Sequence, residues 1–282
     1  MTSSNLGKLW IVATPLGNPG DLSPRAREIL VDADVVLAED TRRSGILLST
    51  CGIAAKRFVS LHDHNEKTRL KSVLAELQSG AVIALVSDAG TPLISDPGYQ
   101  LVRACREAGI VVSPVPGPSS PIAALSASGL PPMPFTFLGF PPRAAGDIRK
   151  FFTPFASLES TLIFFERKDR LVETLTLAHE ILGERAGCIA RELTKTFEEF
   201  LPFTLNKQVE TTFKHHEFLG EITVVIGPPQ RLTMTPEDEV LGIAREQKIL
   251  SPEAKPREIA RRVQRLADGW SVDGIYMLLQ RM

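Results

Sequence analysis

The sequence predicts an α/β fold made of two α/β domains and a small helical appendix. Strand and helix patterns alternate through most of the 282 residues, which is typical of sheets covered by helices. Prolines and glycines are concentrated between residues 114 and 142, and they separate two such alternating regions. We therefore place the domains at residues 1–120 and 121–230, followed by the appendix at residues 231–282.

The first domain is predicted to hold a largely parallel sheet. Four apolar runs predict its strands, at residues 8–13, 34–38, 81–86 and 110–115. The run at 81–86 has no polar residue, as expected of a strand buried on both faces. Helices are predicted between the strands: one that begins at Ser23-Pro24, one at 43–49, one capped by Asn65 that runs to Leu77, and one at 99–107.

The second domain alternates in the same way. Its strands are predicted at residues 161–165, 187–191, 198–203 and 221–226, with an amphipathic helix at 170–182. Gly227-Pro228-Pro229 ends this domain, and the remaining chain has helical patterns.

Composition excludes several classes of protein. The formal net charge of −1 gives no global support for nucleic-acid binding, so such a function would depend on local basic patches. Three scattered cysteines argue against a disulfide framework and against a thiolate metal site, which favours a reducing cytoplasm. No apolar run approaches the roughly 20 residues of a membrane helix, and we expect neither a membrane nor a metal partner.

Four loops follow predicted strands of the first domain: residues 14–21, 39–43, 87–98 and 116–120. Ligands bind at this edge of an open α/β sheet. The loop at 87–98 is the most informative, because a plain connection needs only a few residues. Taken singly, each loop has a structural alternative: a tight turn, a solvated helix start, a surface turn or a rigid linker.

The strings ATPLGNPGDLSPRA, AEDTRRSGILL, LVSDAGTPLISDPG and VPGPSSPIAALSASGL at these loops resemble the tetrapyrrole methylase family, and within it the ribosomal RNA branch. The resemblance implies two α/β domains, the second with a mixed sheet, S-adenosylmethionine in the cleft between them, and a homodimer. It also implies 2′-OH methylation of a cytidine in the decoding region of 16S (small-subunit) rRNA, in the assembled 30S subunit.

The resemblance also implies which residues act. The cofactor-binding residues would be Pro15, Gly17, Asp88, Gly90, Thr91, Ile94, Ser119, Ser120 and Phe165. A carboxylate would take the proton of the ribose hydroxyl, with Asp40 as the first candidate and Asp88 as the second. Arg42 would orient that carboxylate or hold a phosphate, and Arg43 would contact RNA.

The appendix adds candidate RNA contacts. Arg257, Arg261 and Arg265 recur every four residues and would form one helical stripe. A second face is suited to packing and holds Ile259, Val263 and Leu266. The alternative is a solvated helix face, because residues 235–282 carry equal numbers of acidic and basic side chains.

Two other functions stay open. One is a methylase of a tetrapyrrole or another small molecule, against which the AEDTRRSGILL and LVSDAGTPLISDPG strings and the chain beyond residue 230 argue. The other is a catalytically silent RNA-binding or assembly protein, which a calorimetric test of S-adenosylmethionine binding would separate from an enzyme.

Overall fold

A computed structural model describes residues 6–213, 216, 218–229 and 235–280. The chain forms two compact units, residues 1–229 and residues 230–282. The predicted α/β class is confirmed, since helices alternate with strands through the first unit.

The first sheet is entirely parallel, which confirms the prediction. Its strands are Lys8–Val12 (β1), Val35–Ala38 (β2), Phe58–Ser60 (β3), Val82–Leu85 (β4) and Val111–Val115 (β5). They are ordered β3-β2-β4-β1-β5. The sequence analysis missed β3, an edge strand of three half-buried residues that has no continuous apolar run to mark it.

Four helices accompany this sheet: Pro24–Asp32 (α1), Thr41–Thr50 (α2), Glu66–Gln78 (α3) and Tyr99–Glu107 (α4). A fifth helix, Ser120–Ala127 (α5), follows β5 and packs against the second sheet. Ser23 caps α1 as predicted, accepting a hydrogen bond from the Ala26 N–H at 3.1 Å. Asn65 precedes α3, but its side chain makes no capping hydrogen bond, so that part of the prediction was wrong. Its Oδ1 accepts instead from the His62 N–H at 2.9 Å.

The second sheet is mixed, as the family resemblance implied. Its strands are Phe135–Phe137 (β6), Thr161–Glu166 (β7), Arg185–Arg191 (β8), Glu199–Leu205 (β9) and Ile222–Ile226 (β10), ordered β6-β7-β10-β8-β9. Only β6 runs parallel to its neighbour in this sheet. Its helices are Ala145–Phe152 (α6), Leu171–Leu182 (α7) and Val209–Phe213 (α8). The sequence analysis missed β6, α6 and α8.

One apolar cluster joins the two sheets. It brings Leu16 of the first loop together with Leu125 of α5 and with Ile163 and Val225 of the second sheet, all of them buried. The proposed domain boundary near Pro121 therefore falls inside α5, a helix that the sequence analysis treated as part of a linker. We keep the division into residues 1–120, 121–230 and 231–282 as a proposal. The shared cluster places the loops of the first sheet against the second sheet.

The second compact unit contains three helices: Glu237–Leu250 (α9), Pro256–Gln264 (α10) and Val272–Leu279 (α11). This confirms the helical appendix. Ile259 and Val263 are buried in its core as predicted, but Leu266 is 58% exposed, so the prediction that it packs was wrong. The reason is that α10 ends at Gln264, before Leu266 could share its packed face. No helix among the described residues is long and apolar enough to cross a membrane.

Candidate functional site

A cleft of about 490 Å³ opens where the strands of the first sheet end, and residues from the second sheet complete its wall. This is the edge at which the sequence analysis placed a ligand site. The cleft is lined by most of the residues that the resemblance assigned to the cofactor, together with one assigned to RNA: Asp88, Gly90, Thr91, Ile94, Ser119, Ser120, Phe165 and Arg43.

Four residues assigned in the first domain do not line this cleft: Pro15, Gly17, Asp40 and Arg42. Gly17 faces the Lys195 side chain, which occupies the space that a Cβ at position 17 would need. Beside it, the Asn18 N–H donates to the Thr194 hydroxyl at 3.2 Å. The first loop is therefore covered by the connection between β8 and β9.

The loop at residues 87–98 is fixed to its neighbours by hydrogen bonds. Thr14 and Gly90 exchange two backbone hydrogen bonds, of 2.9 and 3.1 Å. The Thr91 hydroxyl donates to the Pro118 carbonyl at 2.9 Å. Three of the four predicted loops thus form one connected cradle. Gly90 has a positive φ of 80°, a conformation that glycine adopts without a steric penalty.

The same loop holds two non-glycine residues in the left-handed region. Leu93 has φ 71° and Ser95 has φ 70°, on either side of Ile94. Such conformations cost roughly 1–3 kcal/mol each and cluster at functional sites. Here they leave Ile94 43% exposed on the wall of the cleft, where an aliphatic side chain can contact a ligand.

Five carboxyl groups line the cleft: Glu39, Asp88, Asp96, Glu166 and Glu221. Asp88 forms an ion pair with Arg43 at 2.8 Å, and its Oδ1 is buried with no hydrogen-bond partner among the described residues. Burial, reinforced by the negative charges of Glu39 and Asp88, raises the pKa of Asp96 from 3.8 to about 7. Burial and the charge of Asp88 also raise the pKa of Glu39.

The sequence analysis did not assign roles to Glu39 and Asp96. Both lie inside strings that it quoted, AEDTRRSGILL and SDAGTPLISDPG, but spacing alone does not show which acid of each string faces the cleft. In the first string the inward residue is Glu39, and Asp40 is the cap of α2.

Asp40 is bound in a way that suits a structural role. Its Oδ1 accepts from the N–H groups of Arg42 and Arg43 at 2.9 and 3.4 Å, and its Oδ2 pairs with the Arg42 guanidinium at 3.2 Å. The hydrogen bond from the Arg42 side chain, with those from the backbone, lowers the pKa of Asp40. A carboxylate held this way is a weak base, so its surroundings do not favour proton abstraction.

We expect Asp40→Asn to keep turnover within about threefold of wild type, because asparagine is as good a helix cap as aspartate. Asp40→Ala should lower the free energy of unfolding by about 0.5–2 kcal/mol through loss of that cap. Single-turnover methylation and thermal melting would measure the two effects. A loss of about 100-fold in Asp40→Asn at unchanged stability would instead establish Asp40 as the base, which was the first candidate from the sequence.

The wall from the second sheet is built on β7. The Phe165 ring faces the cleft and contacts the rings of Phe137 and Phe140, with centroids 5.0 and 5.2 Å away. Glu166, buried, accepts hydrogen bonds from the Thr174 hydroxyl at 2.6 Å and from the Arg167 N–H at 2.8 Å. Neither Phe140 nor Glu166 was singled out from the sequence, because each acquires its position from pairing between distant segments.

The three arginines of the predicted stripe in the appendix have different surroundings. Arg257 pairs with Asp273 at 3.4 Å and lies over the Tyr276 ring at 5.5 Å. Arg261 and Arg265 are exposed and form no ion pair with another described residue. Because Arg257 is engaged by Asp273 and Tyr276, only two arginines of the predicted stripe have no ion pair with a described residue. One of them, Arg265, follows the last residue of α10. Glu258 and Arg262 form the predicted pair, at 2.7 Å.

Comparison with known proteins identifies the family. The family described as Tetrapyrrole (Corrin/Porphyrin) Methylases matches residues 8–208, which include all four loops and β1 to β9. The chain belongs to this family.

Its relatives within the family are ribosomal RNA enzymes by name. A ribosomal RNA small subunit methyltransferase I from Xylella fastidiosa is 49% identical over 225 residues, covering 79% of this chain and 82% of that protein. The protein of the same name from Micromonospora olivasterospora is 40% identical over 279 residues, covering 98% of this chain and 88% of that protein.

Solved structures of tetrapyrrole methylases share the fold. A cobalt precorrin-4 methyltransferase has a TM-score of 0.58 at 17% identity, covering 78% of this chain and 94% of that one. A uroporphyrin-III C-methyltransferase from Thermus thermophilus, complexed with S-adenyl homocysteine, has a TM-score of 0.54 at 20% identity, covering 78% and 97%. At these identities the likeness establishes the fold alone.

Proposed function

We propose that this tetrapyrrole methylase family member transfers a methyl group from S-adenosylmethionine to small-subunit rRNA, at the 2′-OH of a cytidine in the decoding region. The observation that carries the proposal is the cradle formed by the loops at residues 14–21, 87–98 and 116–120, in a chain 40–49% identical to enzymes named ribosomal RNA small subunit methyltransferase I. The nucleotide and the ribose position rest on the family resemblance.

The cleft fits S-adenosylmethionine by its chemistry. Gly90 lines the cleft and has no side chain, so a ligand can approach the backbone there closely. The partnerless Oδ1 of Asp88 is suited to accept from an amino or hydroxyl group. The hydroxyls of Ser119 and Ser120 add polar contacts, and Phe165 offers an apolar surface to the adenine.

When bound, S-adenosylmethionine supplies a methyl group that its sulfonium already makes electrophilic. The chain has to position the acceptor and remove its proton. We propose that Asp96 Oδ1 or Oδ2 takes the proton of the ribose hydroxyl, because a base is most effective when its pKa lies near the working pH. Asp88 would then hold the cofactor and keep Arg43 in place, and Arg42 would stabilise the cap of α2.

The decisive test is methylation of 30S subunits purified from cells that lack this protein. We expect one methyl group per subunit, on a ribose 2′-OH of a decoding-region cytidine, located by nuclease mapping and mass spectrometry. Methylation of a base, or of uroporphyrinogen in place of rRNA, would overturn the proposal. Failure to bind S-adenosylmethionine by calorimetry would indicate the silent RNA-binding alternative.

We propose that the appendix contacts rRNA phosphates through Arg261 and Arg265. Affinity for 30S subunits should decrease with salt, and the variant Arg261→Ala/Arg265→Ala should make that decrease less steep, by about 2 in the slope of log affinity against log salt concentration. S-adenosylmethionine affinity should be unchanged. Arg257→Ala is the matched control: its guanidinium is engaged by Asp273 and Tyr276, so the slope should change little. Filter binding of 30S subunits at several salt concentrations measures both. Equal slopes in the double variant and wild type would make the appendix structural.

The remaining expectations belong to the same proposal. A homodimer, a cytoplasmic location and the assembled 30S subunit as substrate all rest on the family resemblance. Sedimentation equilibrium of the purified protein tests the first, and a comparison of 30S subunits with deproteinised 16S rRNA as methyl acceptors tests the last.

A further inference from the structure

An aromatic ring stands exposed at the cleft. Phe140 lines the cleft and is 56% exposed, while Phe165 behind it is half-buried. The two ring centroids are 5.2 Å apart at an interplanar angle of 56°, so Phe165 supports the Phe140 ring from one side. Leaving a phenylalanine ring in water forgoes the burial that usually stabilises it, which is informative when the ring borders a binding site.

The backbone around Phe140 is firmly held. The Gly139 carbonyl accepts a hydrogen bond from the Phe165 N–H at 2.9 Å. Gly139 has φ 71°, and a Cβ at this position would lie 3.5 Å from Ser95 Oγ. On the other side, the Arg170 guanidinium donates to the carbonyls of Pro141 and Pro142.

Arg170 is itself fixed, because it pairs at 3.3 Å with Glu166, whose side chain is fully buried. The exposed ring is therefore attached to a turn whose backbone is held by hydrogen bonds on both sides.

Two positively charged residues lie close to this ring in the sequence. Arg143 follows it by three residues, and Lys168 follows the supporting Phe165 by three. Both side chains are exposed, and neither forms an ion pair with another described residue. Single-stranded RNA is commonly bound by an aromatic ring that stacks on a base, with cations beside it for the phosphates.

We propose that Phe140 is the stacking platform for a nucleobase of the RNA strand that enters the cleft, either the methylated nucleotide or its neighbour. This inference rests on the proposed function and names the substrate contact within it. In the proposed function the deeper ring, Phe165, contacts the adenine of the cofactor. The outer ring, Phe140, is then left to contact the RNA. Stacking tolerates any base, so Phe140 contributes affinity for an unpaired strand, and sequence selection lies elsewhere.

The test is steady-state methylation of 30S subunits by Phe140→Ala, Phe140→Leu and Phe140→Tyr, with S-adenosylmethionine affinity measured separately by calorimetry. We expect KM for 30S subunits to rise about tenfold or more in Phe140→Ala and Phe140→Leu, and to stay within threefold in Phe140→Tyr. S-adenosylmethionine affinity should stay within twofold in all three. Phe135→Ala, which removes a ring that is 41% exposed on β6 outside the cleft, should match wild type in both assays.

Each contrary outcome has a definite meaning. A normal KM in Phe140→Leu would show that any apolar group suffices and would overturn the stacking role. An equal loss of S-adenosylmethionine affinity would assign the ring to the cofactor instead. If wild-type protein transferred no methyl group to 30S subunits, the proposed function and this inference would fail together, whereas an active Phe140→Ala with normal KM would overturn the inference alone.

Discussion

Asp96→Asn is expected to lower the rate of methyl transfer about 100-fold or more, with S-adenosylmethionine affinity within threefold of wild type. Asparagine has nearly the same shape but cannot accept the proton of a ribose hydroxyl. Single-turnover methylation of 30S subunits at saturating cofactor isolates this step from binding. A rate within tenfold of wild type would show that positioning alone drives the reaction, or that Asp88 is the base.

The pH profile gives a second, independent readout of the same prediction. Because the pKa of Asp96 is raised to about 7, the base is protonated below that pH, and the wild-type rate should rise between pH 6 and 8 and then level off. Asp88→Asn removes one of the negative charges that raise the pKa of Asp96, so its profile should shift to lower pH. A profile that is flat from pH 5 to 8 would contradict the assignment.

The raised pKa also predicts a stability change with a definite sign. The folded protein holds the Asp96 proton up to about pH 7, whereas the unfolded chain releases it near pH 4. Asp96 therefore costs stability progressively as pH rises from about 4 to 7. Asp96→Asn should melt a few degrees higher than wild type at pH 8 and at a similar temperature at pH 4.

Gly90→Val is expected to weaken S-adenosylmethionine binding at least tenfold. A side chain at this position would meet Leu16 Cδ2 at 3.1 Å, and a β-branched residue is strained at φ 80°. Both effects would displace the loop at 87–98, which Gly90 connects to Thr14 by two backbone hydrogen bonds. Calorimetric titration of the purified variant measures the loss.

Gly109→Val separates the effect on the site from backbone strain. Gly109 also has a positive φ, of 70°, but nothing lies within 4 Å of the Cβ it would gain. We expect this variant to lose stability and to bind S-adenosylmethionine as wild type does. If Gly90→Val kept full affinity while Gly109→Val melted early, the loop at 87–98 would not form the cofactor cradle.

The sequence was sufficient to predict the strands that carry a continuous apolar run and the loops that follow them. The segment at 82–85 and its loop are the clearest case, because burial on both faces leaves a polar-free strand and a long connection stands out beside it. The short edge strands Phe58–Ser60 and Phe135–Phe137 have no such signal, because their neighbours in the sheet stabilise them.

The chemistry of individual acids was harder to predict. For Asp40 the sequence left a helix start open as the alternative, and the residue does cap α2. For Asp96 no local pattern shows that folding encloses it with the negative charges of Glu39 and Asp88. Phe140 depends on a hydrogen bond between Gly139 and Phe165, 26 residues apart, and on a guanidinium from the start of α7. Such features become visible only when the chain is folded.

The left-handed pair at Leu93 and Ser95 has a consequence for how this loop tolerates change. In a saturation library selected for folding alone, glycine is normally among the most depleted substitutions, yet here it would relieve the strained backbone. The two positions should nevertheless differ. Ser95 is exposed, so glycine should be enriched there, whereas Leu93 packs against the core of the first sheet, and loss of its side chain would cancel the gain. Two positions that flank Ile94 and share one backbone conformation would thus have opposite substitution profiles.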